Sequence, residues 1–83
     1  MHVRNGEHRQ AVKVLRQLAD RDQSPGAWVR LGVELARIEQ LDEALAAFKQ
    51  GWFLHRRAGH RRRADVVSTL IDQLRDGQFP LAA

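Results

Sequence analysis

Residues 28–48 read Trp28-Val29-Arg30-Leu31-Gly32-Val33-Glu34-Leu35-Ala36-Arg37-Ile38-Glu39-Gln40-Leu41-Asp42-Glu43-Ala44-Leu45-Ala46-Ala47-Phe48, two helical patterns separated by a short break. In the first pattern Trp28, Leu31, Leu35 and Ile38 recur at steps of three and four, the spacing that collects side chains on one helical face. Val29, Val33 and Ala36 lie beside them, and only Arg30, Glu34 and Arg37 mark a solvent stripe. So wide an apolar arc predicts a helix covered on two flanks. After Glu39-Gln40 the second pattern opens with Asp42 and Glu43, whose charges favour a helix N-terminus. It carries Ala44, Leu45, Phe48 and Trp52 on its inner face and stops before Gly59.

Working outward, Ser24-Pro25 supplies an N-cap hydroxyl and a proline at the first helical position, where its missing N–H costs nothing. The central helix therefore starts at Pro25. Upstream, Ala11, Val14, Leu15 and Leu18 share one face of a helix spanning 6–22. Downstream, Ala64, Val67, Leu70, Ile71 and Leu74 form one stripe of a helix spanning 60–76, with Gly77 as its C′ residue. Residues 77–83 read as a loose tail. No apolar–polar alternation of strand length occurs, so the expected fold is all-α with about four helices in one domain spanning 1–83.

The chain has 83 residues, 43% of them apolar and 29% charged, with a mean hydropathy of −0.49. That composition belongs to globular chains rather than disordered or membrane-spanning ones. Cysteine is absent, so neither disulfides nor thiolate–metal sites can hold the small core, and packing must do so. No signal-like apolar run opens the chain, and none approaches the ~20 residues needed to span a bilayer. The expected location is the cytoplasm, and the Arg- and Ala-rich, Lys-poor usage suits a GC-rich bacterial genome.

The spacing Trp28-x₂-Leu31-Gly32-x₂-Leu35 followed by Ala44-x₃-Phe48 resembles a tetratricopeptide (TPR) repeat. Each position has a physical logic. Gly32 lets two helices approach closely, Ala44 sits where they cross, and Trp28, Leu31, Leu35 and Phe48 fill the seam. One full repeat would span 25–58. The stretch from Gly6 to Leu18 looks like the second helix of a preceding half repeat, with Gly6 as its turn glycine. Ala11 and Ala44 lie 33 residues apart, one short of the family period of about 34. Two positions depart from the family pattern: Glu39 stands where the turn glycine is usual, and Arg56 where a proline is expected. A non-glycine residue in a left-handed turn costs about 1 kcal/mol, so either the turn differs here or that cost is borne. The other reading of the same helices is an unrelated four-helix bundle with different packing angles. TPR solenoids need about three repeats for stability. A chain with fewer implies a capping last helix, a second copy, or a longer parent protein.

TPR proteins are binding modules, and the resemblance implies a non-catalytic protein–protein interaction module. Its partner would be a peptide, a helix or a second subunit, held on a concave face made by Val29, Arg30, Val33, Ala36 and Arg37. The family's clamp for C-terminal carboxylates uses lysine and asparagine at set positions; Val29 and Val33 stand at two of these, so that clamp is not expected. An apolar strip edged by Arg30 and Arg37 suits an acidic or amphipathic helix, or a homodimer. If the closing helix covers Val29 and Val33, they are ordinary core instead.

The second candidate is His55-Arg56-Arg57-Ala58-Gly59-His60-Arg61-Arg62-Arg63, five arginines and no acid in nine residues within a chain of formal charge +4. Arg56 and Arg57 close a helix, where cations favour the dipole, but Arg61, Arg62 and Arg63 open the next one, where they oppose it. With Phe53 one turn before Arg57, this patch suits polyanion or nucleic-acid binding, or an acidic protein. It also reads as a solvated corner whose arginine stems cover Trp52. No nucleic-acid module signature accompanies it. Catalysis is not expected: there is no Cys, no Tyr and no glycine-rich phosphate loop. His2 and His8 are six apart, and His55 and His60 five apart, so neither pair has the i, i+4 metal spacing. No cofactor and no metal are expected.

Overall fold

The computed structural model describes residues 3–79. Four helices follow in order, α1 (Val3–Asp22), α2 (Pro25–Arg37), α3 (Leu41–Arg57) and α4 (Arg61–Arg75), with no strand among the described residues. The fold is all-α. Its principal contacts join chain neighbours, α1 to α2, α2 to α3 and α3 to α4.

The helix boundaries follow local chemistry. The Ser24 hydroxyl accepts the Ala27 N–H at 3.4 Å, and Pro25 is the first residue of α2. The last three helices end in the same Schellman arrangement, in which two amides beyond the helix return to its final carbonyls. At the end of α2, Gln40 N–H donates to Leu35 O at 2.9 Å and Glu39 N–H to Ala36 O at 3.0 Å. At the end of α3, His60 donates to His55 O at 2.8 Å and Gly59 to Arg56 O at 3.1 Å; at the end of α4, Gln78 donates to Gln73 O at 2.8 Å. The arrangement needs a left-handed residue, supplied by Gly59 (φ 81°) and Gly77 (φ 73°) and, in the α2–α3 turn, by Glu39 (φ 62°). Glu39 therefore bears the cost that a glycine would avoid.

The core gathers Leu31, Leu35, Ala36, Ala44, Ala47, Phe48, Val67 and Leu74. Phe48 is its centre and wholly buried. Gly32 explains how α2 and α3 come so close: a Cβ there would stand 2.6 Å from Phe48 Cδ1. A second close approach lies one turn along, where a Cβ on Gly51 would stand 2.7 Å from Val29 Cγ2. Burying each Leu, Val or Phe contributes about 1.5–3 kcal/mol, and in a chain without disulfides this burial must offset the ordering entropy.

Several expectations need correction. Helix α1 begins at Val3, so Gly6 lies inside it rather than in a turn. Helix α2 ends at Arg37 with Ile38 as its C-cap, and α4 begins at Arg61 with His60 as its N-cap. The tail is not loose as far as it is described: Phe79 is half-buried and packs on the core, its ring 5.7 Å from that of Phe48. Residues 80–83, including Pro80, and His2 lie outside the described residues. Glu34 does not join the solvent stripe of α2. It is buried, because α1 lies over that flank and brings His8 to its carboxylate.

Candidate functional site

On α2 the five residues of the expected binding face separate. Ala36 is fully buried in the α2–α3 seam, and Val29 is half-buried with its Cγ2 against Gly51 of α3. Both are core side chains because α3 covers their flank of the helix. Arg30 and Arg37 are exposed and Val33 is half-buried between them in sequence. Arg37 also turns back toward Glu34, its Nη1 donating to Oε2 at 3.5 Å. The surface α2 offers is thus Arg30, Val33 and Arg37, an apolar side chain with two guanidinium groups.

The basic run lies around the α3–α4 turn, and all of Arg56, Arg57, Arg61, Arg62 and Arg63 are exposed. None of them makes an ion pair with a carboxylate among the described residues. Two are held by aromatic faces: Arg56 Cζ stands 5.1 Å from the centre of the Trp52 ring and Arg57 Cζ 5.7 Å from that of Phe53. Such cation–π contacts are worth about 0.5–1 kcal/mol at exposed sites and fix where the fork points. Phe53 itself is 47% exposed. Helix α4 starts with no acidic residue in its first turn and no side-chain cap, and three arginines open it. Two shallow concavities meet here. One of about 510 Å³ is lined by Arg56, Gly59, Arg61, Ala64 and Asp65, the other of about 430 Å³ by Gly59 to Arg63.

At the same turn the structure joins two histidines that sequence spacing kept apart. His55 Nδ1 and His60 Nδ1 are 3.2 Å from one another, which requires one ring to donate and the other to accept. The pair occupies the side-chain contact that accompanies a Schellman turn, between the third residue from the helix end and the second residue beyond it. The recognisable signal was a five-residue spacing across Gly59. His55 is buried, and burial, then His60 and Arg63, hold its imidazole below the usual histidine range.

A further groove of about 260 Å³ runs between α1 and α3 over α2, lined by Arg16, Trp28, Leu31, Leu35, Glu43, Ala46, Ala47 and Gln50. Arg16 Nη2 donates to Glu43 Oε1 across it at 3.0 Å. Trp28 Nε1, at its margin, is buried without a hydrogen-bond partner among the described residues. Among the described residues no three His, Asp or Glu side chains converge as metal ligands, and no helix is long and apolar enough to cross a membrane. No family model matches the chain, and no curated protein or solved structure matches it.

Proposed function

We propose that this chain is a non-catalytic protein-interaction module of the TPR kind, which binds a partner helix or peptide along the outer face of α2. The observation that supports this reading is the placement of α2 itself. It is packed by α1 on one flank and α3 on the other, yet keeps Arg30 and Arg37 exposed on a third face with Val33 half-buried beside them. Two cations flanking an apolar side chain at helical spacing match an acidic amphipathic helix, whose apolar stripe would cover Val33 while its carboxylates meet the guanidinium forks. The cytoplasm is the compartment proposed for it.

Photo-crosslinking in cells tests this reading. A photoreactive residue in place of Arg30 is expected to give a discrete protein adduct, and one in place of the exposed Lys49 on α3 is expected to give none. If position 30 gives no adduct, or both positions give the same ones, the α2 face is not the docking surface.

A further inference from the structure

We infer that the α3–α4 turn is a binding site for single-stranded nucleic acid, in which Arg56, Arg57, Arg61, Arg62 and Arg63 hold backbone phosphates and Phe53 offers a face to an unpaired base. The site is separate from the α2 face and stands or falls without it. Three observations carry the inference. First, five exposed guanidinium groups crowd one turn with no carboxylate paired to any of them among the described residues. Like charges gathered this way repel one another, and polyanion binding relieves the repulsion.

Second, three of these arginines open a helix whose N-terminus carries neither an acid nor a side-chain cap. The helix dipole disfavours arginine at those positions and favours an anion, so the arginines and the amides call for the same ligand. Gly59 keeps the approach open, since nothing lies within 4 Å of where its Cβ would be. The two concavities share Gly59 and Arg61, which gives successive phosphates adjoining places to sit.

Third, the aromatic side chains select among polyanions. Phe53 is 47% exposed one helical turn before the end of α3, and Arg57 lies against its ring. A uniformly acidic peptide such as polyglutamate would satisfy the guanidinium groups and leave Phe53 uncovered. A duplex presents phosphates but keeps its bases stacked inside. Only a single strand brings phosphate and an exposed base face together, and stacking on an aromatic side chain is sequence-tolerant.

Fluorescence anisotropy with the intact chain and a labelled oligothymidylate of about 12 nucleotides tests the site. The expected binding weakens by about two orders of magnitude between 0.05 and 0.2 M salt, from five phosphate contacts on a single strand. Changing Arg61, Arg62 and Arg63 together to serine is expected to lower the log–log salt slope by about 2. Phe53→Ala, checked for unchanged helix content, is expected to lose about tenfold in affinity for the oligothymidylate and nothing for an abasic strand of equal length. Arg30→Ser, on the α2 face, is expected to leave binding unchanged. The proposal is overturned if the oligothymidylate does not bind at low salt, or if the abasic strand or the duplex binds as tightly. It is equally overturned if polyglutamate of equal charge binds as tightly, which would make the turn a site for acidic protein.

Discussion

The imidazole Nδ1 of His8 on α1 meets the carboxylate of Glu34 on α2, a contact that joins residues 26 apart in the chain. The Glu34 side chain is only 7% exposed, and Arg37 also reaches it, at 3.5 Å. A carboxylate so far out of water depends on its partners, because removing one partner leaves the other's charge uncompensated. His8→Ala is therefore expected to destabilise the fold by about 1–3 kcal/mol. Replacing both residues, His8→Ala with Glu34→Leu, is expected to cost less than His8→Ala alone. Urea unfolding of the single and double variants measures the coupling. A His8→Ala variant as stable as the parent chain would show that the contact holds nothing.

Glycine substitutions should divide by what the missing side chain would touch. At Gly32 a methyl group would press on the Phe48 ring, which is wholly buried and has nowhere to move. Gly32→Ala is expected to cost about 1–3 kcal/mol in spite of alanine's better helix propensity. At Gly6, inside α1, nothing lies within 4 Å, so Gly6→Ala is expected to add about 0.5–1 kcal/mol. Thermal unfolding of the pair tests this, and a Gly32→Ala protein melting at or above the parent would contradict the close α2–α3 approach.

Glu39 holds a left-handed conformation, φ 62°, where a Cβ is strained. Glu39→Gly is expected to stabilise by about 0.5–1 kcal/mol, a rise in Tm of about 4–8 °C for each kcal/mol in a domain of this size. Gly59→Ala, at φ 81°, is expected to move Tm down. Calorimetry on both variants should find shifts of opposite sign.

Acid should loosen the α3–α4 turn. Burial, His60 and Arg63 push the His55 imidazole below its ordinary value, so the unfolded chain takes up its proton at a higher pH than the folded chain. Stability from this group is complete above the unfolded value of about 6.5 and is lost as pH falls below it. Urea midpoints at about pH 7.5 and 5 should fall more steeply for the parent than for His55→Leu, which has no proton to take up there. Identical slopes would remove His55 from the pH response.

Much of the fold was legible because helical periodicity is local. The Ser24-Pro25 start of α2, the glycines after α3 and α4, and the seam residues Leu31, Leu35, Ala44 and Phe48 all follow from spacing and capping chemistry within a few residues of each other. The start of α1 is not legible in the same way: Gly6 has the look of a turn residue, yet a glycine with free space around it is tolerated within a helix at a cost of about 1 kcal/mol, and α1 runs through it from Val3.

The sequence by itself determined the four helices, their order, the close packing at Gly32 and the unbalanced arginines between 56 and 63. Tertiary structure alone decided which flanks of those helices are covered. It turned Glu34 inward against His8, and it spent Val29 and Ala36 on the seam with α3, which reduced the α2 face to Arg30, Val33 and Arg37. The same step drew His55 and His60 together across Gly59 and left Phe53 uncovered beside Arg57. The physical reason is one of range: periodicity and capping act over one or two helical turns, whereas burial is set by whichever helix arrives from elsewhere in the chain.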